Sequence, residues 1–370
     1  MLSPHILREG IRIGAQSFWR KAFGWKRYSG DAPQICAAIV ANCWNGRYFQ
    51  TSAGHFNEFY ARDFGWCAEA LCSLGHRERV LKTLEYALSS YRCHGQTRVA
   101  IAANGTPFDF PDVYAPDSLA YLLRSLRVAD SRELVRKHQH FLESEIRRFH
   151  STVIDPSTRL VRRKRHYGSM KDYSIRDASC YDHTMSAAVS IEADHLGLAN
   201  PLHKYDLQDG LVTHYWNGNH FQDEINDGHY VAADANIFPF WMGVISDRRK
   251  LARTIGSVQK AGLDRPFPIR YTRPDATIRE TPFAPIVKNW ELDCIWGHLG
   301  MAYITILSRI EKQRARKHLA QYEKQIEKYG TFFEVYTPDG SAPYTSLLYH
   351  ADEAMLWASA WLALAESLRP

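Results

Sequence analysis

Three acidic residues stand where a long loop runs into a helical segment. Asp63 lies in Phe59-Tyr60-Ala61-Arg62-Asp63-Phe64-Gly65-Trp66, Asp117 in Tyr114-Ala115-Pro116-Asp117-Ser118-Leu119, and Glu334 in Phe332-Phe333-Glu334-Val335-Tyr336. A carboxyl group surrounded by Phe, Trp and Tyr loses hydration, which penalises its charged form and raises its pKa into the range a general acid needs. Two such groups facing each other across an aromatic-lined cleft are enough to cleave a glycosidic bond. One protonates the departing oxygen, and the other activates a water or attacks carbon directly. Taken singly, Asp63 and Asp117 also suit helix N-termini, where a negative charge complements the macrodipole.

Other polar clusters carry less. Gln222-Asp223-Glu224-Ile225-Asn226-Asp227-Gly228 lacks the alternating ligand spacing of a calcium loop and reads as a polar rim. Arg176-Asp177 and Asp182-His183 fit a helix cap better than a second site. His138 and His140 are two apart, which puts them on different faces of a helix and disfavours zinc. Arg162-Arg163-Lys164-Arg165-His166 is the one basic run, and it reads as a solvated loop. There is no Gly-rich phosphate loop. No metal, no cofactor and no nucleic-acid partner is expected.

The elements that must position these residues are helical nearly throughout. Helical spacing recurs at Val80, Leu84, Ala87 and Leu88, at Leu119, Leu122, Leu123 and Leu126, and at Leu134, His138, Phe141 and Leu142. It returns at Met185, Ala188, Val189 and Glu192, at Leu251, Ile255 and Val258, at Leu319, Tyr322, Ile326 and Tyr329, and at Trp357, Ala360, Trp361 and Leu364. With weaker segments near 33–43, 63–74, 203–215, 234–245 and 294–311, the pattern predicts about twelve helices. Phe332–Tyr336 is the best strand candidate. Short connections such as Gly75-His76 alternate with long ones near 94–115, 151–178, 216–233, 264–292 and 330–350. That alternation implies six hairpins in a ring, with the long loops gathered on one face.

The chain of 370 residues has 45% hydrophobic and 23% charged residues, which excludes disordered and collagen-like classes. No apolar run approaches the roughly 20 residues that span a bilayer, so no membrane partner is expected. The start, Met1-Leu2-Ser3-Pro4-His5, lacks the layout of a secretory signal, and seven unpaired-looking cysteines suit a reducing, cytoplasmic setting. The net charge of +6 permits acidic partners without demanding them. Aromatic residues make up 13%, a supply that serves either core packing or sugar stacking. Residues 1–30 are expected to pack as an N-terminal extension on a domain formed by 31–370.

Several fragments, taken in chain order, resemble those of six-hairpin glycosidases. Arg62-Asp63-Phe64 before a helix is similar to the Arg-Asp motif of (α/α)6-barrel enzymes, in particular the glucosidase domains of glycogen-debranching enzymes (amylo-α-1,6-glucosidase-like) and the neutral invertases. Asp117-Ser118 before an apolar helix resembles their general-acid segment, and Asp293-Cys294-Ile295-Trp296-Gly297 a pocket-lining stretch. Glu334 with Asp339-Gly340 resembles the general-base segment, although no proline precedes it, and Glu353–Ala360 resembles the closing helix.

The resemblance implies an all-α (α/α)6 toroid and an inverting, exo-acting glycoside hydrolase taking an α-linked glucosyl or related sugar from an oligosaccharide or glycoconjugate. Asp117 would be the acid and Glu334 the base, with Asp63 and Asp117 exchanging roles if Asp63 lies nearer the bond. Arg62, Asp63, Tyr60, Trp66, Trp290, Asp293 and Trp296 would bind the sugar. Epimerases, lyases and unsaturated-uronide hydrolases share such a toroid, and Arg270, Arg273 and Arg279 are suited to a uronate. A non-catalytic carbohydrate-binding protein is the remaining alternative.

Overall fold

Helices that are apolar all round must be enclosed, whereas helices with one apolar stripe can face water on the other side. Both kinds occur here, and they alternate along the chain. The computed structural model describes residues 4–110, 112–225, 230–282 and 284–369, with side chains from Gly10 onward. Among these are thirteen α-helices: α1 (Pro4–Phe23), α2 (Ala32–Cys43), α3 (Ala61–Ser73), α4 (Arg77–His94), α5 (Asp117–Val128), α6 (Arg132–Val153), α7 (Cys180–His195), α8 (Leu207–Tyr215), α9 (Ala233–Trp241), α10 (Arg248–Lys260), α11 (Gly297–Leu307), α12 (Lys312–Tyr329) and α13 (Ala358–Ser367). Twelve of them coincide with the segments read from periodicity. The thirteenth, α1, lies within the N-terminal extension, where apolar spacing marks no helix.

The odd-numbered helices from α3 to α13 form an inner ring, each packed on the next and α13 closing back on α3. They are the enclosed kind: α5 and α11 bury nearly every side chain. The even-numbered helices from α2 to α12 form the outer layer, and α6, α10 and α12 expose one charged face each. This is the (α/α)6 toroid. The ring closes tightly where side chains are small. Gly65 on α3 lies against Tyr121 of α5, where a Cβ would come within 2.4 Å of the tyrosine Cβ.

Because every hairpin runs outer helix, loop, inner helix, all six inner helices start at the same end of the ring. Four of them carry an aspartate in their first turn: Asp63, Asp117, Asp182 and Asp234. A negative charge there is complementary to the positive end of the helix dipole. Each inner helix is reached through a long loop, and the structure has six of these rather than the five expected, residues 44–60 being the addition.

The loops are stitched to one another around the ring. Strand β1 (Phe59–Tyr60) pairs with β2 (Ala100–Ile101), and β2 with β3 (Pro107–Phe108). The amide of Gly168 donates to Tyr114 at 3.0 Å, and Ser174 bridges Glu280. A further ladder joins Ile295–Trp296 to Val335–Tyr336, the latter being the end of the segment read as a strand. The Glu334 amide donates to Asp352 at 2.9 Å, and Ser52 bridges Met355, which closes the circuit. A hairpin of Ile154–Asp155 with Leu160–Val161 stays within its own loop. Among the described residues, no helix is long and apolar enough to cross a membrane.

The contact of Gly65 with Tyr121 yields a stability test. Replacing Gly65 by Ala gains about 1 kcal/mol of helix propensity but forces two Cβ atoms together, and overpacking of that kind costs about 1–3 kcal/mol. Gly65→Ala is expected to lower the midpoint of urea unfolding without changing its slope.

Candidate active site

The loop end holds an unusual density of buried carboxylates, and what each one touches separates them. Asp117, the first residue of α5, has no exposed surface. Its Oδ2 lies 2.7 Å from Nε of Arg62 and accepts from the Tyr181 hydroxyl at 3.0 Å and the Met170 amide at 3.3 Å. Arg62 is also almost fully buried, and it donates from Nη2 to the Gly168 carbonyl at 2.8 Å. The pair therefore ties two inner helices to the loop at 168–172. Asp117 was the expected proton donor, but here it is enclosed and engaged by a guanidinium.

The loop so held presents Asp172, whose side chain keeps 29% of its exposure and has Arg62 Nη1 at 3.9 Å. Burial pushes the Asp172 carboxyl up to about 8; Arg62 opposes the shift, while the negative charges of Glu291, Asp117 and Asp63 add to it. Asp63, in the first turn of α3, is pushed up to about 7 by burial, opposed by Arg62 and by the indole N–H of Trp357, which donates to it at 3.2 Å. Glu334 is pushed up to about 8, again by burial first, with the charges of Asp352 and Asp63 adding. Its Oε2 accepts from the Tyr349 hydroxyl at 2.5 Å and the Asp352 amide at 3.2 Å, two bonds that favour the ionised form. Asp63 is thus within electrostatic reach of both Asp172 and Glu334, and Tyr173 feels both of the latter.

An aromatic chain runs beneath this cluster. From Trp357, bonded to Asp63, ring contacts pass to His298 at 4.7 Å, Trp296 at 5.5 Å, Trp290 at 5.1 Å and Tyr349 at 4.5 Å, and Tyr349 is bonded to Glu334. Trp66 stacks on His298 at 3.9 Å and donates from its indole to Tyr121. Trp357 and Tyr349 cover Asp63 and Glu334 on this side, and burial is the first cause of the raised pKa of each. Burial holds the His298 imidazole far below its usual value, so it is neutral.

A second buried charge group anchors the Asp172 loop from behind. Lys171 Nζ lies 3.3 Å from Asp223 and 3.4 Å from Asp234, and Arg176 reaches the same two carboxylates at 3.2 and 2.7 Å. Glu291 accepts from the Asp172 amide at 2.5 Å, the Tyr173 amide at 3.0 Å and the Ser174 hydroxyl at 2.7 Å. Among the described residues, no group of three or more His, Cys, Asp or Glu side chains is arranged to hold a metal ion.

Of the residues singled out from sequence, the structure gathers Arg62, Asp63, Asp117, Trp66, Trp290, Trp296 and Glu334 around this cluster. The three tryptophans are each under 10% exposed, and one face of Trp66 is covered by His298. Tyr60 packs edge-on to Phe56 and Phe108 in the loop layer. Asp293 instead faces Arg270, which offsets the rise that burial imposes on it. Asp177 is bound by Arg163 at 2.8 Å, and Ser179 caps α7 by accepting from the Asp182 amide, so neither aspartate forms a second site. Of the presumed rim loop, Asn226, Asp227 and Gly228 lie outside the described residues, whereas Asp223 is a buried anchor.

Sequence reasoning missed Asp172, Glu291, Tyr349 and His298. The first lies in an aperiodic loop whose length was its one signal.

No protein-family model and no curated protein matches the chain. Solved structures do match it. A glycosidase variant in complex with glucose is 12% identical with a TM-score of 0.67, the alignment covering 100% of this chain and 99% of that one. The rhamnosidase from Klebsiella oxytoca with rhamnose bound is 12% identical with a TM-score of 0.65, over 91% of this chain and 63% of that one. A GH63 mannosylglycerate hydrolase from Thermus thermophilus is 12% identical with a TM-score of 0.62, over 90% and 100%. The chain thus has the six-hairpin toroid of these proteins and spans about two thirds of the rhamnosidase's length.

The buried carboxyls make stability depend on pH. Above about pH 6.5 an unfolded Asp or Glu is already ionised, while folded Asp63, Asp172 and Glu334, raised to about 7, 8 and 8, still hold protons. Unfolding therefore releases protons, and stability conferred at low pH is lost as pH rises through these values. Tm is expected to fall between about pH 6.5 and pH 8. Calorimetry on Glu334→Gln and Asp172→Asn should show a shallower fall in each.

Proposed function

We propose that the chain is an inverting glycoside hydrolase in which Asp172 donates the proton and Glu334 activates the water. The observation that carries this reading is a pair of carboxyls with raised pKa values, on loops from distant parts of the sequence, both within electrostatic reach of Asp63 and of Tyr173. Likeness to three glycoside-cleaving proteins of the same fold supports it, since the chain shares their toroid over nearly its whole length.

The roles divide by environment. Asp172 is partly open to solvent and surrounded by Glu291, Asp117 and Asp63, so its proton is retained near neutral pH and is available to a leaving oxygen. Glu334 is raised as far as Asp172, but the Tyr349 hydroxyl and the Asp352 amide hold its carboxylate once the proton has left, so the form that takes a proton from water grows as pH rises toward about 8. Asp117 acts at one remove, by holding Arg62 and the loop that carries Asp172. In this reading Asp63, Trp66 and the aromatic floor take the sugar ring: carboxylates bind sugar hydroxyls strongly because the acceptor is charged.

The substrate class proposed is a neutral sugar, α-glucosyl or related, at the end of an oligosaccharide or glycoconjugate. Three arginines suited to a uronate are engaged elsewhere. Arg270 donates to the Pro338 carbonyl at 2.6 Å, Arg273 pairs with Asp275 at 3.0 Å, and Arg279 with Glu224 at 2.8 Å. That engagement weighs against lyase and uronide-hydrolase chemistry.

A panel of glycosides, with product stereochemistry followed by proton NMR, tests the reading. Asp172→Asn and Glu334→Gln are each expected to lower kcat by about 10²–10⁴-fold, the usual worth of one acid or base, with unchanged circular dichroism. Retention of anomeric configuration, or wild-type rates in either variant, would refute the assignment.

A further inference from the structure

Helix α1 carries a feature that neither the toroid nor the carboxylate cluster uses. At 100° per residue, Ile11, Ala15, Phe18, Trp19, Ala22 and Phe23 fall on one face, and all six are exposed. The large ones are strongly so: Ile11 66%, Phe18 73%, Trp19 59% and Phe23 70%. Scattered apolar residues on a surface are ordinary, but four large exposed ones gathered on one helical arc, which also carries Arg12, mark an interaction site.

The bonds made by the charged side chains of α1 fix where the stripe points. Arg12 donates to the His55 carbonyl at 2.6 Å and pairs with Glu58, Arg20 pairs with Glu353 at 2.6 Å, and Lys21 donates to the Leu347 carbonyl at 2.9 Å. These partners belong to the loops that close the ring beside Tyr349 and Glu334, so α1 lies across the loop end with its apolar face outward. Leu347 and Leu348, in the adjoining turn that Lys21 binds, are 92% and 58% exposed.

Charge decides what covers it. Residues 1–28 contain six basic side chains (Arg8, Arg12, Arg20, Lys21, Lys26 and Arg27) against one acid, Glu9. Lys21, Lys26 and Arg27 are exposed at the Phe23 end. A second copy docked through a two-fold axis would set these cations against themselves. An anionic lipid surface meets both requirements, since Trp and Phe insert at the headgroup level and flanking cations pair with lipid phosphates.

We infer that α1 docks the loop end of the toroid onto an anionic membrane surface, lying in its plane rather than spanning it. The sequence-based expectation of no membrane partner rested on the length of apolar runs, a criterion that an interfacial helix does not meet. The inference stands apart from the hydrolase reading. Combined with it, the cleft would open beside the bilayer, where sugar ends of lipid-anchored glycoconjugates are presented.

The full chain can be sedimented with vesicles of phosphatidylcholine alone, or with one quarter of the lipid replaced by phosphatidylglycerol. Binding is expected to the mixed vesicles, to weaken with salt, and to fall about tenfold or more in the variant F18S/W19S/F23S, because affinity scales with buried apolar area. These side chains are exposed, so the thermal melt and turnover of a soluble glycoside should be unchanged. Failure to sediment with the mixed vesicles, or equal binding by the triple variant, would overturn the inference. So would a dimer in light scattering that the triple variant dissociates. None of these outcomes bears on the catalytic assignment, which the Asp172 and Glu334 variants test separately.

Discussion

The loop end of this protein depends on the ion pair between Arg62 and Asp117. Taking a carboxylate and a guanidinium out of water is costly, and the cost is offset only when geometry and extra hydrogen bonds are good. Here Asp117 also receives a tyrosine hydroxyl and a backbone amide, and Arg62 also bonds a backbone carbonyl. The result is a cross-brace between two inner helices and the segment bearing Asp172. Breaking one partner would leave the other charged and unpaired in the interior, so the brace is hard to vary piecemeal.

The other buried charges follow the same logic. Lys171 and Arg176 neutralise Asp223 and Asp234, while Glu291 takes its bonds from backbone amides and a serine. Asp63, Asp172 and Glu334 are among the carboxyls that burial raises most, to about 7, 8 and 8. Their pKa values rise for that reason, and acid–base chemistry near neutral pH becomes possible. The toroid contributes by starting all its inner helices at one end, which brings loops from distant parts of the sequence into a single ring.

Periodicity made the helices legible because enclosed and half-exposed helices need different residue patterns, and twelve segments carried those patterns clearly. α1 escaped because Arg8 and Arg12 fall within its apolar arc at 100° per residue and break the pattern that marks a core-facing helix. Phe332–Tyr336 shows the opposite error of extent: its β-like residues are all buried, but just the last two meet a partner strand.

For the site, the amino-acid sequence alone identified acidic residues at loop-to-helix junctions and surrounded them with aromatics, which placed Asp63, Asp117 and Glu334 among the candidates. It could not rank them. Asp117 and Asp63 have the same local appearance, and what separates them is a guanidinium arriving from the neighbouring turn of α3 and an indole arriving from residue 357. Asp172 has no local signal, because a carboxyl in an aperiodic loop acquires its chemistry from Arg62 and Glu291, 110 and 119 positions away in the chain. Local sequence sets periodicity and capping, whereas burial and charge environment are properties of the closed ring.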